Sequence, residues 1–366
     1  MLRCNRSKIS FIVEDLEVAL RIEAHKEKTT GVRRPFIFAV LDCESPNRAF
    51  TSMYGRVVPF LDDDRPLARG VIRYALPIFR LHRQYLARRQ SENQLEIWST
   101  SQPTLSFTRD ENHRGLDLQD RVLSDSHLAF VCIGVPEPVY YHIKHNSKKT
   151  VETDLDLYSC MPSWENYIAC TRELDNHAVK SVRVGQHVLK NLSEIAESSI
   201  IDYANEMRTE FGDAWLLANC KFVIAGGGTG NYWMSSALNK PALLTDTYGI
   251  SNTSYGMTDI AIPQLAWSIS EKVLMPFSWL MAQGEGWGHK KSLIYGDIEI
   301  VKNTAEEITE AVLEMNQRID GTWVETSEDI ELQARFRELR EAVPRWQVQQ
   351  SVRIGAAFLR RYKHLL

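Results

Sequence analysis

Between Cys220 and Asp246 the chain passes from an apolar run into a cluster of glycines and back into a second apolar run. The first run is Phe222-Val223-Ile224-Ala225, followed by Gly226-Gly227-Gly228-Thr229-Gly230-Asn231. The second, Ala242-Leu243-Leu244-Thr245-Asp246, is entered through Asn239-Lys240-Pro241. This pattern predicts a buried strand, a glycine-rich turn opening a helix, and a second buried strand, a single βαβ unit. Glycines at the carboxyl end of such a strand let a ligand approach the backbone, and the helix start offers unpaired N–H groups to an anion. The spacing is neither the dinucleotide G-x-G-x-x-G nor a Walker loop, which would need Gly-Lys-Ser/Thr. The turn therefore reads either as a phosphate seat or as a tight bend that needs glycine for its dihedrals alone.

At 366 residues the chain exceeds the size at which single cores stop growing, so two domains are expected. A 44% hydrophobic and 25% charged composition is that of a globular protein. The net charge of -4 argues against a general nucleic-acid binder. Six cysteines, Cys4, Cys43, Cys132, Cys160, Cys170 and Cys220, show no C-x-x-C spacing. Neither a zinc site nor a disulfide framework is indicated, and a metal site is not expected. Neither a signal peptide nor a membrane span is legible, which points to a cytoplasmic location.

Strand and helix patterns alternate along both halves. Pro35 to Leu41 reads as a strand ending in the polar loop that begins Asp42-Cys43-Glu44. Val71 to Arg89 is helical with a basic flank, a solvated face or a peripheral contact with an acidic inner-membrane surface. Leu128 to Val135 is a continuously apolar strand, as in a parallel sheet covered on both faces. A polar segment, Tyr141 to Leu157, reads as the junction between domains or a long active loop. Further strands are expected at Ala178–Gly185 and Ile200–Tyr203, with helices starting near Trp164, over Ala214–Asn219, over Val301–Arg318 and over Glu331–Leu366. The resulting expectation is an α/β chain with two Rossmann-like domains facing a cleft, residues 1–150 and 151–340, followed by a terminal helical segment, 341–366.

Several of these stretches resemble a known family, the bacterial GT-B type glycosyltransferases of surface-polysaccharide loci. The resemblance rests on Leu105-Ser106-Phe107-Thr108 with Glu111 and Arg114-Gly115, the Asn166-Tyr167 helix, Val182-Arg183-Val184-Gly185 and Ile201-Asp202-Tyr203-Ala204. It continues through Cys220-Lys221-Phe222 and the glycine turn, Lys240-Pro241, Ile262-Pro263, Asn303 to Ile308, Gly321-Thr322-Trp323 and Gly355 to Leu359. The chain departs from the family pattern in carrying Thr229 where serine is frequent, and in its three consecutive glycines. The resemblance implies a nucleotide-sugar donor, a glycan or lipid-linked acceptor, no obligatory metal or cofactor, and a last helix that crosses back onto the N-terminal domain.

Glycosyl transfer needs a seat for a nucleotide leaving group, a cation to meet its growing charge, and a base for the acceptor hydroxyl. The glycine turn, Gly226, Gly227, Gly228, Thr229 and Gly230 with Asn231, supplies the seat. Arg183, at a strand end before Gly185, is the candidate cation or else a structural salt bridge. Asp202 and Tyr203 follow another short strand; Asp202 is a candidate for sugar or ribose hydroxyls, or a helix cap. Asp42 and Glu111 are the candidate bases. The Gly284-to-Lys291 loop is a candidate flap over substrate. A sugar epimerase or hydrolase of related architecture would bind the same nucleotide sugar without transfer, whereas a non-catalytic glycan-binding or assembly protein would have no nucleotide affinity.

Overall fold

The computed structural model describes residues 2–4, 12–32, 39–41, 47–62, 98, 100–137, 161–186, 188, 190–192, 199–227, 229–247, 256, 258–282, 296–342 and 353–366. The N-terminal part consists of β1 (Leu2–Cys4), a π-helical turn Val13–Glu17 running into α1 (Val18–Thr30), β2 (Ala39–Leu41), α2 (Arg48–Gly55) and β3 (Phe60–Asp62). Its three strands are parallel, in the order β1-β2-β3.

The remainder comprises α3 (Arg109–Leu123), β4 (Ala129–Gly134), α4 (Glu165–Asn176), β5 (Val179–Arg183), β6 (Ile200–Ile201), α5 (Tyr203–Glu206) and α6 (Glu210–Asn219). Then follow β7 (Val223–Gly226), α7 (Gly230–Ala237), β8 (Ala242–Thr247), β9 (Ile260–Pro263), β10 (Leu265–Ser268), β11 (Val273–Leu274), α8 (Phe277–Ala282) and β12 (Ile298–Val301). The chain closes with α9 (Ala305–Ile319), α10 (Ser327–Glu341), β13 (Arg353–Ile354) and α11 (Ala356–Arg361). Seven of these strands form one all-parallel sheet in the order β13-β9-β8-β7-β4-β5-β6. β7 and β8 are buried along their whole length, as a sheet clad on both faces requires. One helix group, α4 with α9, packs on β5, β8 and β9, and another, α3, α6 and α7, meets β7 and β8 and touches the N-terminal part through α2 and the π-helical turn.

The expected βαβ unit is present as β7-α7-β8, and the long apolar strand is β4. The domain limits differ from the expectation. β4 pairs directly with both β5 and β7, so a boundary at 150 would cut the centre of one sheet. The polar composition of 141–157 suggested a junction, but that segment lies outside the described residues, as do the basic 71–89 stretch and the 284–291 loop. The terminal segment also differs: it is not one helix. β13 adds to the sheet edge beside β9, and α11 packs on α9 and α10, with Phe358 beside Phe277 at 6.4 Å and Tyr362 at 4.8 Å. These contacts lie on the seven-stranded unit, where the apolar face of the tail finds its partners, and not on the N-terminal strands. Among the described residues no helix is long and apolar enough to cross a membrane.

Candidate functional site

In the large sheet the chain moves outward from β4 through β5 to β6, then returns to β7 on the other side of β4 and moves outward through β8, β9 and β13. The switch point therefore lies between β4 and β7, and the crevice outside their carboxyl ends is where a doubly wound sheet binds its ligand. The residues there are Gly134, Gly185, Gly226, Gly227 and the start of α7.

Two glycines make room for one side chain. A Cβ at Gly134 would lie 2.2 Å from Asn231 Nδ2, and one at Gly185 would lie 3.7 Å from the same atom. The Asn231 amide thus sits over the ends of β4 and β5 and donates to the Val184 carbonyl at 3.4 Å. Thr229 is the N-cap residue of α7, yet its side chain makes no cap hydrogen bond. Its Oγ1 is buried and meets no partner among the described residues. A helix start in this condition keeps donor capacity for an incoming oxyanion.

Gly226 and Gly227 do a different job from the one expected of them. A Cβ on Gly226 would fall 2.5 Å from the Tyr167 hydroxyl and 3.4 Å from Pro162; one on Gly227 would meet Pro162 at 3.1 Å and Pro136 at 3.2 Å. Gly227 also takes φ +58°, a conformation that favours glycine. Protein groups thus fill the space that a side chain at these two positions would need. Gly228 lies outside the described residues.

Arg183 ends β5 fully buried, in the salt bridge that was its alternative reading. Nη1 donates to both oxygens of Asp202 at 2.9 Å and to the Lys190 carbonyl at 2.6 Å, and Nη2 pairs with Glu137. The Trp164 ring lies 4.9 Å from the guanidinium and its indole N–H donates to Glu137 at 3.2 Å. Asp202 also accepts from the Leu192 N–H at 2.8 Å and makes no side-chain cap. Two carboxylates around one cation bind the Lys190–Leu192 segment, the turn after β4 and the entry to α4 into one knot directly beneath the crevice. Tyr203, the other candidate, turns its hydroxyl onto Thr209, accepting from its N–H at 2.9 Å and donating to its carbonyl at 3.0 Å. It closes a loop and does not face a ligand.

Glu111 is the N3 residue of α3. It completes a capping box with Thr108 and pairs with Arg56 at 2.9 Å. Burial pushes its pKa up, but hydrogen bonds from Arg56 and Thr108 outweigh this and hold it below the ordinary carboxylate range, unlike a base tuned to neutral pH. Asp42 lies outside the described residues.

A second polar cluster, which sequence reasoning missed, stands at the end of β8. Asp246 is fully buried with φ +50° and interrupts the β8–β9 register. Its carboxylate accepts from the Asn303 N–H at 2.8 Å and the Tyr167 hydroxyl at 3.1 Å, while its own N–H donates to Asn303 Oδ1 at 2.6 Å. Burial raises its pKa to about 6 despite these donors. The available signal was a carboxylate ending a buried parallel strand. Asn303 ties the root of α9 to that strand, and the cap of α9 is Thr304, in a capping box with Glu307. Among the described residues no three His, Cys, Asp or Glu side chains cluster in a way that could hold a metal ion.

Fold and site together define a Rossmann-like, doubly wound α/β protein with an uncapped helix start at its switch point. No protein-family profile matches the chain, and no curated protein matches it. Among solved structures it is similar to a protein described as the glycosyl transferase family 9 from Veillonella parvula DSM 2008. The two share 12% identity over 68% of this chain and 67% of that one, with a TM-score of 0.31. A similarity this distant says nothing of site or substrate, and no inference rests on it.

Proposed function

We propose that the chain is a glycosyltransferase that moves a sugar from a nucleotide-sugar donor to a glycan or lipid-linked acceptor in surface-polysaccharide or glycoconjugate assembly. The observation that carries this reading is the start of α7 at the switch point, where an uncapped Thr229 hydroxyl and the Asn231 amide stand beside exposed Gly230. In this reading the donor diphosphate sits on the α7 N-terminus, which meets the charge that grows on the leaving group and makes a metal unnecessary. Gly228 belongs to the same seat. Arg183 and Asp202 act as positioning residues: they hold the turn after β4 and the Lys190–Leu192 segment without touching the donor. The proposed base is Asp42, since Glu111 is committed to its cap and to Arg56.

A thermal-shift screen against UDP-, GDP-, CMP- and TDP-linked sugars tests the reading, because a ligand of the native state raises its apparent stability. One nucleotide class is expected to raise the melting temperature, and Asn231→Ala is expected to abolish the rise. No response to any of the four classes defeats the proposal. Binding of a donor without transfer would favour the epimerase or hydrolase, and the absence of any nucleotide affinity would favour the non-catalytic assembly protein.

A further inference from the structure

α9 ends in a complete Schellman turn. The Thr322 N–H bonds the Gln317 carbonyl at 2.9 Å and the Gly321 N–H bonds the Arg318 carbonyl at 3.2 Å, with Gly321 at φ +70°. The turn folds Trp323 back onto the helix, its N–H reaching the Gln317 carbonyl at 3.2 Å. With Thr258, Arg318, Ile319, Gly321 and Glu325, Trp323 then lines a cavity of about 280 Å³. Thr258 precedes β9 and Arg353 opens β13, so this cavity lies at the amino edge of the sheet, opposite the crevice at β4 and β7.

Arg353 is neutralised from two sides, by Glu314 at 2.6 Å and by Glu325. Arg318 makes no side-chain hydrogen bond or ion pair with any described residue, although it is half-buried. Burial, and then the Arg353 charge, pull its pKa below the usual guanidinium range, although Glu314 and Glu325 act in the opposite direction. The Trp323 indole N–H and Arg353 Nη2 also lack partners among the described residues. The two cations and two carboxylates balance in charge, and Arg318 is the one of the four with no hydrogen bond to a described side chain. A second negative charge on a ligand would meet Glu325 at the rim.

We propose that this amino-edge cavity is a second ligand site, specific for a small monocarboxylate carried on an apolar or flat group, with the carboxylate on Arg318 and the apolar part against Trp323 and Ile319. The site is separate from the nucleotide crevice and does not depend on the function proposed above.

The test is a calorimetric titration of the full chain with benzoate, with inorganic phosphate as the dianionic comparison. Benzoate binds and phosphate binds more weakly. Arg318→Gln lowers benzoate affinity about tenfold or more, the scale of a lost charge-assisted hydrogen bond. Its melting temperature stays at the parent value, because Arg318 bonds no described side chain. Ile319→Glu, at an exposed position, places a second carboxylate at the rim and also suppresses binding; it serves as the variant that keeps the fold if Arg318→Gln does not. Absence of benzoate binding, undiminished affinity in both variants, or tighter binding of phosphate than of benzoate overturns the proposal.

Discussion

The guanidinium of Arg21 donates to Asn239 Oδ1 at 2.6 Å across 218 positions of sequence, and to the Ala237 carbonyl at 2.8 Å. Arg21 is buried, lies 4.0 Å from the Trp98 ring and is paired with Glu17 at 2.7 Å. It therefore fastens the N-terminal part to the last turn of α7, the helix whose first turn is the candidate anion seat, and adds a cation where the helix dipole is negative.

Arg21→Met is expected to destabilise the protein by about 3–5 kcal/mol, because it strands the buried Glu17 carboxylate. Urea unfolding measures the loss. Adding Glu17→Gln in the same chain should recover part of it. An unchanged midpoint in Arg21→Met would show that the N-terminal part docks on α7 by apolar contact alone.

Arg183→Ala removes the cation that pairs with both Asp202 and Glu137, and a loss of about 3–5 kcal/mol is expected on the same grounds. Any loss of donor binding should follow from that loosening. Accordingly, Arg183→Lys should restore stability and binding in step. Normal stability with abolished binding would return Arg183 to direct contact with the donor.

The pKa values of Asp213 and Asp246 are raised by burial, to about 7 and about 6. Each stays protonated in the folded state at pH values where the unfolded chain has already released the proton near its ordinary ~3.9. Their contribution to stability is complete below that value and disappears as pH rises through 6 and 7. For Asp246 the change is about 3 kcal/mol, from roughly two units at ~1.4 kcal/mol each. Glu165 is held down at about 2 by its hydrogen bonds to Lys190 and Ser163, so its effect is confined to more acid solution. Chemical unfolding measured between pH 4.5 and 7.5 should therefore give stability falling with pH, and Asp246→Asn should flatten the slope. A slope identical in that variant would assign the dependence elsewhere.

Gly226→Ala would bring a methyl 2.5 Å from the Tyr167 hydroxyl. The expected cost is about 1–3 kcal/mol, typical of overpacking a well-filled core. Tyr167→Phe removes the colliding oxygen, so the double variant should be less destabilised than the sum of the two single ones. Strict additivity in thermal melts would mean that the backbone, and not this contact, fixes glycine at 226.

Deleting residues 356–366 removes Phe358, Leu359 and Leu365, all buried. Each fully buried apolar side chain is worth about 1.5–3 kcal/mol, so the truncated chain should melt well below the parent or fail to fold. A melting temperature equal to the parent's would show that α11 contributes nothing to the sheet unit.

The β7-α7-β8 unit was legible because its apolar runs, glycines and proline each speak locally for the same element. The start of α4 and the capped start of α9 were legible for the same reason. Strand order was not: nothing in Ala129–Gly134 announces that its neighbours come from residues 179–183 and 223–226. Glu111 illustrates a signal weighed the wrong way, since Thr108-x-x-Glu111 ahead of an amphipathic run is the sequence form of a capping box. Arg183 was correctly placed at a strand end, but its burial depends on Asp202 and Glu137, which are 19 and 46 positions away. The left-handed Asp246 was invisible, because its conformation is imposed by Asn303 and Tyr167 from distant helices.

Placing β4 at the middle of the sheet also sets a timetable for its synthesis. One edge of β4 is covered once β5 emerges, but the other must wait for β7, about 90 residues further on, which at roughly 5–20 residues per second takes on the order of 5–20 s. Throughout that interval a nascent chain presents Phe130 to Gly134, five residues buried in the finished fold, along an unpaired edge. An open apolar strand edge invites pairing with any other chain nearby. The same winding that creates the crevice therefore leaves one apolar edge of β4 open until residue 226 has left the ribosome.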